Sequence, residues 1–252
     1  MSGHNKWSSI KHRKAAQDAK RGASFNKIIR ELVVAAKEGG GDPAVNFALQ
    51  AAIDHAKGAN MPKDTMEKAI KRGAGGASGE DYQRYTYEGR APGGVALIIE
   101  TLTDNKNRTV ASIRHHFSKH GGQMGDSGSV GWMFERKGLI VVKGENLTED
   151  ALMEACMEAG ADDFKLDGDA ADVFTTLEDL HTAKTWFSEH ADYEVEKAEP
   201  AMIPKDIVEI TEKSTAKKLL RMLDAMDEDD DIQLVFSNWS MSDELVEEAA
   251  AG

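Results

Sequence analysis

Residues 139–175 read "LIVVKGENLTEDALMEACMEAGADDFKLDGDAADVFT", and their changing periodicity decides the fold class. The apolar run before Gly144 predicts a strand over 139–143. Leu152, Cys156 and Ala159 then recur at helical spacing, predicting a helix over 148–159 with Gly160 as its stop. Two short runs, 163–167 and 170–175, flank Gly168-Asp169 and read as a hairpin. A helix over 177–190 and a strand over 193–198 follow. The order is βαββαβ, the split-βαβ pattern, and Pro200 and Pro204 close it off.

The flanks carry a similar pattern. Strands are expected over 82–88 and 95–103, joined by the turn "GRAPGG". A helix fits 108–120, with Val110, Ile113 and Phe117 inward and Gly121-Gly122 as the stop. A strand over 129–135 precedes the inserted run; a strand over 206–211, a helix over 214–226 and a strand over 232–236 follow it. One ferredoxin-like unit, 137–203, is thus expected inside another made of 80–136 plus 204–240. Residues 241–252 read as a C-terminal tail. Upstream, residues 1–76 read as a helical bundle. Ser8 or Ser9 caps a basic helix to about Lys20, and Gly22 breaks it. Ser24 caps a helix with Phe25, Ile28, Ile29, Leu32, Val33 and Ala36 on one face. Asp42-Pro43 opens a third with Phe47, Leu49, Ala52, Ile53 and Ala56, and Pro62 a fourth with Met66, Ala69 and Ile70. "GAGGASGED" (73–81) reads as a linker. The fold class is α+β.

The chain has 252 residues, 40% hydrophobic and 30% charged, with a mean hydropathy of −0.49. No run approaches the roughly 18 continuous apolar residues of a spanning helix, so no membrane role is expected. The basic start meets no apolar run and continues into a patterned helix, unlike a secretory signal or a cleaved presequence. Cys156 is the single cysteine. Its place in an apolar helical stripe reads as a small buried hydrophobe in a reducing, cytoplasmic compartment.

Charge is unevenly placed. The whole chain carries 31 Lys and Arg against 44 Asp and Glu, a net −13. Residues 1–76 carry 14 basic and 7 acidic side chains; residues 77–252 carry 17 and 37. One end suits a polyanion and the bulk repels one.

Catalytic patterns are missing. "RHHFSKH" (114–120) places His116 and His120 at ligand spacing, but without the Glu of HExxH or a Cys pair. The run "DEDDD" (227–231) lacks the glycine and alternating oxygens of a calcium loop and reads as a solvated turn. "APGGV" leads into a strand, not a helix N-terminus, and so is no phosphate cradle. No nucleophile with a base is apparent, and no cofactor or metal is expected.

The basic arm stands apart. Lys6, Lys11, His12, Arg13, Lys14, Lys20 and Arg21 precede Lys27 and Arg30, and only Asp18 interrupts the series up to Arg30. On a helix Lys11, Lys14 and Arg21 lie near one meridian, a spacing that tracks a phosphate backbone. Trp7 either stacks on an unpaired base or staples the helix to the bundle. A second patch comprises Asp104, Asn105, Asn107, Arg108, Thr109, Arg114 and Lys119. Cations at a helix start oppose its dipole, and a nearby anion would relieve them; the alternative is a polar loop capped by Asn107 or Asp104. "GGQMGDSGSVG" (121–131) reads as a mobile loop that orders on a partner.

"GHNKWSSIKHRKAAQDAKR", "NMPKDTMEKAIKRG", "YEGRAPGGVALIIETLTDNKNRT", "GSVGWMF" and "QLVFSN" together resemble the YebC/PmpR family, from residue 3 to about 239. The resemblance implies three domains, one α/β domain inserted in another, and no catalytic residues. Family members carry the label of DNA-binding transcriptional regulators. Others are ribosome-associated translation factors that relieve stalling at proline runs and touch ribosomal RNA. The resemblance implies nucleic-acid contact at Lys6, Trp7, Lys11, His12, Arg13, Lys14 and Arg21. Asp104, Asn105, Asn107, Arg108 and Thr109 match its second motif. Arg90-Ala91 departs from the Tyr-Gly expected in that turn, so nothing is carried over to the turn's contacts.

Three readings follow: a translation factor on ribosomal RNA with ribosomal proteins as further contacts, a DNA-binding transcription regulator, and a metal-dependent enzyme. The acidic bulk opposes lying along naked duplex, and no recognition-helix pair with dimer symmetry is evident. A monomeric, non-enzymatic regulator touching ribosomal RNA is favoured.

Overall fold

A computed structural model describes residues 17–75, 82–145 and 147–250. Three helices come first: α1 (Gln17–Gly39), α2 (Phe47–Gly58) and α3 (Lys63–Ala74). Ile28, Leu32, Val33 and Ala36 of α1 are buried against Leu49, Ala52 and Ala56 of α2 and Met66 and Ala69 of α3. The expected break at Gly22 does not occur, for α1 runs through it. One interior glycine costs about 1 kcal/mol, less than a helix this long and well packed below that point can absorb. Asp42-Pro43 forms a turn instead of a helix start. The cap is Asn46, whose Oδ1 accepts the Leu49 N–H at 3.0 Å while its Nδ2 donates to the Ala35 and Gly40 carbonyls. Starting there turns Phe47 outward, 84% exposed, against its expected core place. Gly73 lets α3 touch α1: a Cβ there would lie 2.2 Å from the Val33 carbonyl oxygen.

The outer α/β unit begins with β1 (Gln83–Arg90), β2 (Ala96–Thr103), α4 (Lys106–His120) and β3 (Gln123–Met124). β1 and β2 pair in register from Gln83↔Thr103 to Arg90↔Ala96, around a turn with positive φ at Gly93 and Gly94. Next come β4 (Phe134–Lys143), α5 (Glu149–Ala159), β5 (Asp163–Asp167), β6 (Ala170–Thr175), α6 (Leu180–Glu189) and β7 (Glu194–Pro204). The chain then returns through β8 (Val208–Glu209), α7 (Lys213–Asp227), β9 (Ile232–Ser237), β10 (Trp239–Ser240) and α8 (Asp243–Ala250).

The inserted sheet has the antiparallel order β5-β6-β4-β7, the ferredoxin-like arrangement the βαββαβ reading implied. The outer sheet has the order β3-β1-β2-β9. There β1, first in the chain, takes the place that β6 takes in the insert. The strand expected over 129–135 is instead a 3-10 turn, Gly131–Met133, running into β4, while β3 forms the sheet edge. The strand expected over 206–211 shrinks to β8, which pairs in parallel with β10. Pro200 does not end β7. It lies opposite Gly138 on an edge strand, where a missing N–H costs no ladder bond. The expected tail is α8, which buries Val246 and Ala249.

The opening stretch explains how the two units join. Ile140 and Val142 face α5 and α6, in a core with Leu152, Cys156 and Phe187. Leu139 and Val141 face the other way, onto Ala96, Ile98 and Phe236 of the outer sheet. A strand buried on both faces needs a continuous apolar run rather than alternation, and each such side chain contributes about 1.5–3 kcal/mol. Cys156 is buried as expected, and burial, with Asp163 nearby, pushes its thiol up to about 11. Among the described residues no helix is long and apolar enough to cross a membrane.

Candidate nucleic-acid interface

Helix α1, which carries Lys20, Arg21, Lys27 and Arg30, is anchored by the acidic run 227–231. At the C-terminal end of α7, Lys27 Nζ donates to the Asp227 carbonyl at 2.6 Å, a cation complementing a helix dipole. Arg30 Nη1 reaches Asp231 Oδ1 at 2.7 Å and the carbonyls of Asp230 and Leu102. Its guanidinium also lies over the Tyr82 ring, 5.4 Å from the centroid. Asn26 Nδ2 adds a long contact to Asp230 Oδ2.

Asp231 is the centre of this arrangement, with 4% exposure. Arg108 reaches both of its carboxylate oxygens through Nε and Nη2 at 2.8–3.0 Å. Thr109 donates at 2.8 Å and Thr103 at 3.2 Å. Burial alone would raise the Asp231 pKa; the Arg108, Thr109 and Arg30 donors outweigh it and hold the carboxyl below its usual range. Arg108, bonded to Asp231 and Asp104, is driven further toward its charged form. Two residues earlier, Asp229 accepts from Ser112 Oγ at 2.5 Å and lies 3.1 Å from His116 Nε2. Burial opposes its charge too, but these contacts and the Asp231 N–H lower it to about 2.

The acidic run is a turn between helix and strand, with Asp227 and Glu228 exposed as expected, but it is not solvated throughout, since Asp231 is buried and Asp229 nearly so at its side chain. Lys27 and Arg30, expected to face a polyanion, face this run instead, with side chains 13% and 15% exposed. The anion that relieves the start of α4 is the protein's own Asp231, together with Asp104 at 2.8 Å from Arg108 Nη2. The α4 cap is Asn105, whose Oδ1 accepts the Arg108 N–H at 3.1 Å, not Asn107 or Asp104. Thr109 is buried in the cluster. Asn107, Arg114 and Lys119 remain exposed on α4. Lys20 and Arg21 lie on α1. Lys6, Trp7, Lys11, His12, Arg13 and Lys14 lie outside the described residues.

A shallow pocket of about 360 Å³ opens over the cluster, lined by Arg30, Tyr82, Asp104, Arg108, Ser112 and Asp229 to Asp231. Four carboxylates against two guanidiniums make it unsuited to a phosphate. Among the described residues no group of three or more His, Cys, Asp or Glu is placed to hold a metal ion. His116 points at Asp229 rather than toward a ligand set. Ser112, Asp229 and Asp231 escaped the sequence reading. The available signal was a helix start bearing Lys106 and Arg108 with no acid in its first turn, which requires an anion from elsewhere in the chain.

A second buried carboxylate shapes the glycine-rich segment 121–131. Glu88 accepts the N–H groups of Gly128, Val130 and Gly131, each at 2.7 Å. Burial would raise its pKa, and the three donors hold it below the ordinary value. The segment expected to be mobile is therefore wrapped around an internal anion.

These depressed carboxyls set an acid limit. A group whose folded pKa lies below its unfolded value stabilises the fold above the unfolded pKa, and that contribution is lost as pH falls through the folded pKa. For Asp229 the window runs from the usual 3.8 down to about 2. Near-ultraviolet circular dichroism is expected to hold steady to about pH 4 and to collapse by about pH 2. Asp229→Asn should shift less with acid, and a transition complete above pH 5 would contradict the linkage.

The chain matches, in order, the N-terminal domain of the TACO1/YebC protein over residues 5–76 and the TACO1/YebC second and third domains over residues 82–239. A protein of Desulfosudis oleivorans named a probable transcriptional regulatory protein is 50% identical over 98% of this chain and all of its own length. One of Acidithiobacillus ferrooxidans with the same name is 52% identical over 97% of this chain and 96% of its own. The crystal structure of a conserved hypothetical protein from Aquifex aeolicus superposes with a TM-score of 0.83 at 42% identity, covering 93% of this chain and 96% of that one. Full-length identity near one half, with all three domains matched in their order, establishes that this chain belongs to the TACO1/YebC family.

Proposed function

We propose that this protein is a non-enzymatic, nucleic-acid-binding regulator of gene expression that acts at the ribosome, contacting ribosomal RNA through its basic N-terminal arm and easing stalls at proline runs. Its relatives are named probable transcriptional regulatory proteins, which supports the coarser part of this reading. The observation that carries it is the division of basic residues along the N-terminal stretch. Lys27 and Arg30 are held by the acidic run, so the helix is fixed to a body of charge −20 while the series from Lys6 to Arg21 precedes that anchor with a single acid, Asp18. Lys6, Trp7, Lys11, His12, Arg13, Lys14, Lys20 and Arg21 are the proposed contacts. Arg114 and Lys119, exposed on α4, are secondary ones.

The acidic body favours RNA within a ribosome over extended duplex DNA. A body of that charge is repelled by long naked duplex but is compatible with basic ribosomal proteins beside a short RNA contact. Sedimentation of a lysate through density gradients tests the choice. Co-migration with ribosomes at low salt, lost at high salt, is the expected result. Migration with nucleoid DNA in ribosome-free fractions would replace this reading with the transcriptional one.

A further inference from the structure

Trp132 is 64% exposed on the 3-10 turn Gly131–Met133. An indole joins a large apolar face to a polar N–H, which suits it to contacts that are apolar at one end and wet at the other. This one is also held in place. The Glu88 carboxylate gathers the N–H groups of Gly128, Val130 and Gly131 from beneath, so the residue before Trp132 is fixed by a buried anion. Trp132 Nε1 lies 3.3 Å from the Ser129 carbonyl, which fixes the indole edge. Burying a carboxylate is costly unless its donors are in place. With three donors in place that cost is offset, and the turn is held from within while its largest side chain faces solvent.

Cations flank the turn. Lys205 Nζ donates to the Trp132 carbonyl at 3.2 Å, and its backbone N–H to the Met133 carbonyl. Arg90 Nη2 lies 3.9 Å from Met133 Sδ. Both cations are exposed. The neighbouring acids differ in exposure: Glu88 stays charged but is enclosed by its three N–H donors, while Glu135 and Asp206 are exposed beside the turn and limit the attraction to a short stretch of phosphate. A fixed, exposed indole on a turn that two exposed cations contact matches the requirements for stacking an unpaired base with its phosphate near a cation.

We propose that Trp132, with Arg90 and Lys205, is a stacking site for one unpaired base of single-stranded RNA, separate in the sequence from the N-terminal arm. It rests on the nucleic-acid reading above, and the test separates the two. Full-length protein is titrated with a short single-stranded RNA carrying 2-aminopurine, following anisotropy for affinity and 2-aminopurine quenching for stacking. Trp132→Ala is expected to weaken binding about tenfold and to reduce the quenching, with the salt dependence unchanged; Trp132→Phe should keep most of both. Trp7→Phe controls for quenching by the arm, and thermal melts confirm that the exposed substitution leaves the fold intact.

Wild-type affinity and quenching in Trp132→Ala would overturn the stacking site and leave the arm reading standing. Equal losses on single-stranded and duplex RNA would also overturn it. So would loss of ribosome co-sedimentation with oligonucleotide binding unchanged, which would assign the turn to a protein partner. If reversing the arm's charge leaves both RNA binding and the Trp132-dependent quenching in place, the arm reading falls and the stacking site is supported.

Discussion

Reversing the arm's charge by Lys11→Glu, Arg13→Glu and Lys14→Glu together is expected to abolish measurable association at physiological salt without changing the melting temperature. Six phosphate contacts give a log–log salt slope near −5, so affinity falls roughly 10³-fold between 50 and 200 mM salt. Removing three contacts lowers that slope by about 3. The remaining salt sensitivity over the same range is then roughly 16-fold. Reversal also adds three repulsive charges, so the loss exceeds that of neutral variants. The triple change leaves the buried residues of the bundle and the Asp231 anchor unaltered, so the melting temperature is expected to hold. Co-sedimentation with ribosomes and filter binding of RNA across a salt series measure both quantities. A flat salt profile, or association that survives reversal, removes the electrostatic arm from the mechanism.

The second large effect concerns stability. Asp231→Ala should lower the unfolding free energy by about 3–5 kcal/mol, the range for breaking a buried ion pair by deleting one partner. Arg30, with its side chain 15% exposed, is left facing only carbonyls. Thr103 and Thr109 lose an acceptor in a buried site. Arg108, half exposed, can turn to Asp104 or to water and so contributes less to the loss. Asp231→Asn keeps the shape and part of the hydrogen bonding and should fall between wild type and alanine. Urea denaturation reads the total, and amide exchange along α1 reads its local part, because Arg30 ties that helix to the α/β body. A loss below 1 kcal/mol, or unchanged exchange in α1, would show that the bundle is held by packing alone.

Much of the fold was legible in the chain because it rests on local periodicity. The hairpin 163–167 and 170–175 forms with those bounds, since alternation and Gly168-Asp169 are local signals. The helix after Thr148 begins at its cap and ends at Gly160 in the left-handed region. Boundaries failed where the deciding contact was distant. Gly22 does not end α1, because the tertiary packing of that helix outweighs the local cost. Strand β4 begins at Phe134, five residues after the expected start, because Glu88 first folds the preceding glycines around itself.

The candidate interface divides the same way. That residues 1–76 carry the positive charge, and that the remainder repels a polyanion, follows from composition alone, since net charge needs no fold to be counted. Which cations are available does not. Lys27 and Arg30 look like their neighbours in the sequence, but side chains two hundred residues away claim them. The run "DEDDD" reads as solvent-facing until α1 and α4 close over Asp231 and Asp229. Periodicity and charge are properties of neighbouring residues and survive in the unfolded chain. Ion pairing across such a separation exists only after folding, so tertiary structure alone decided which charges hold the protein together.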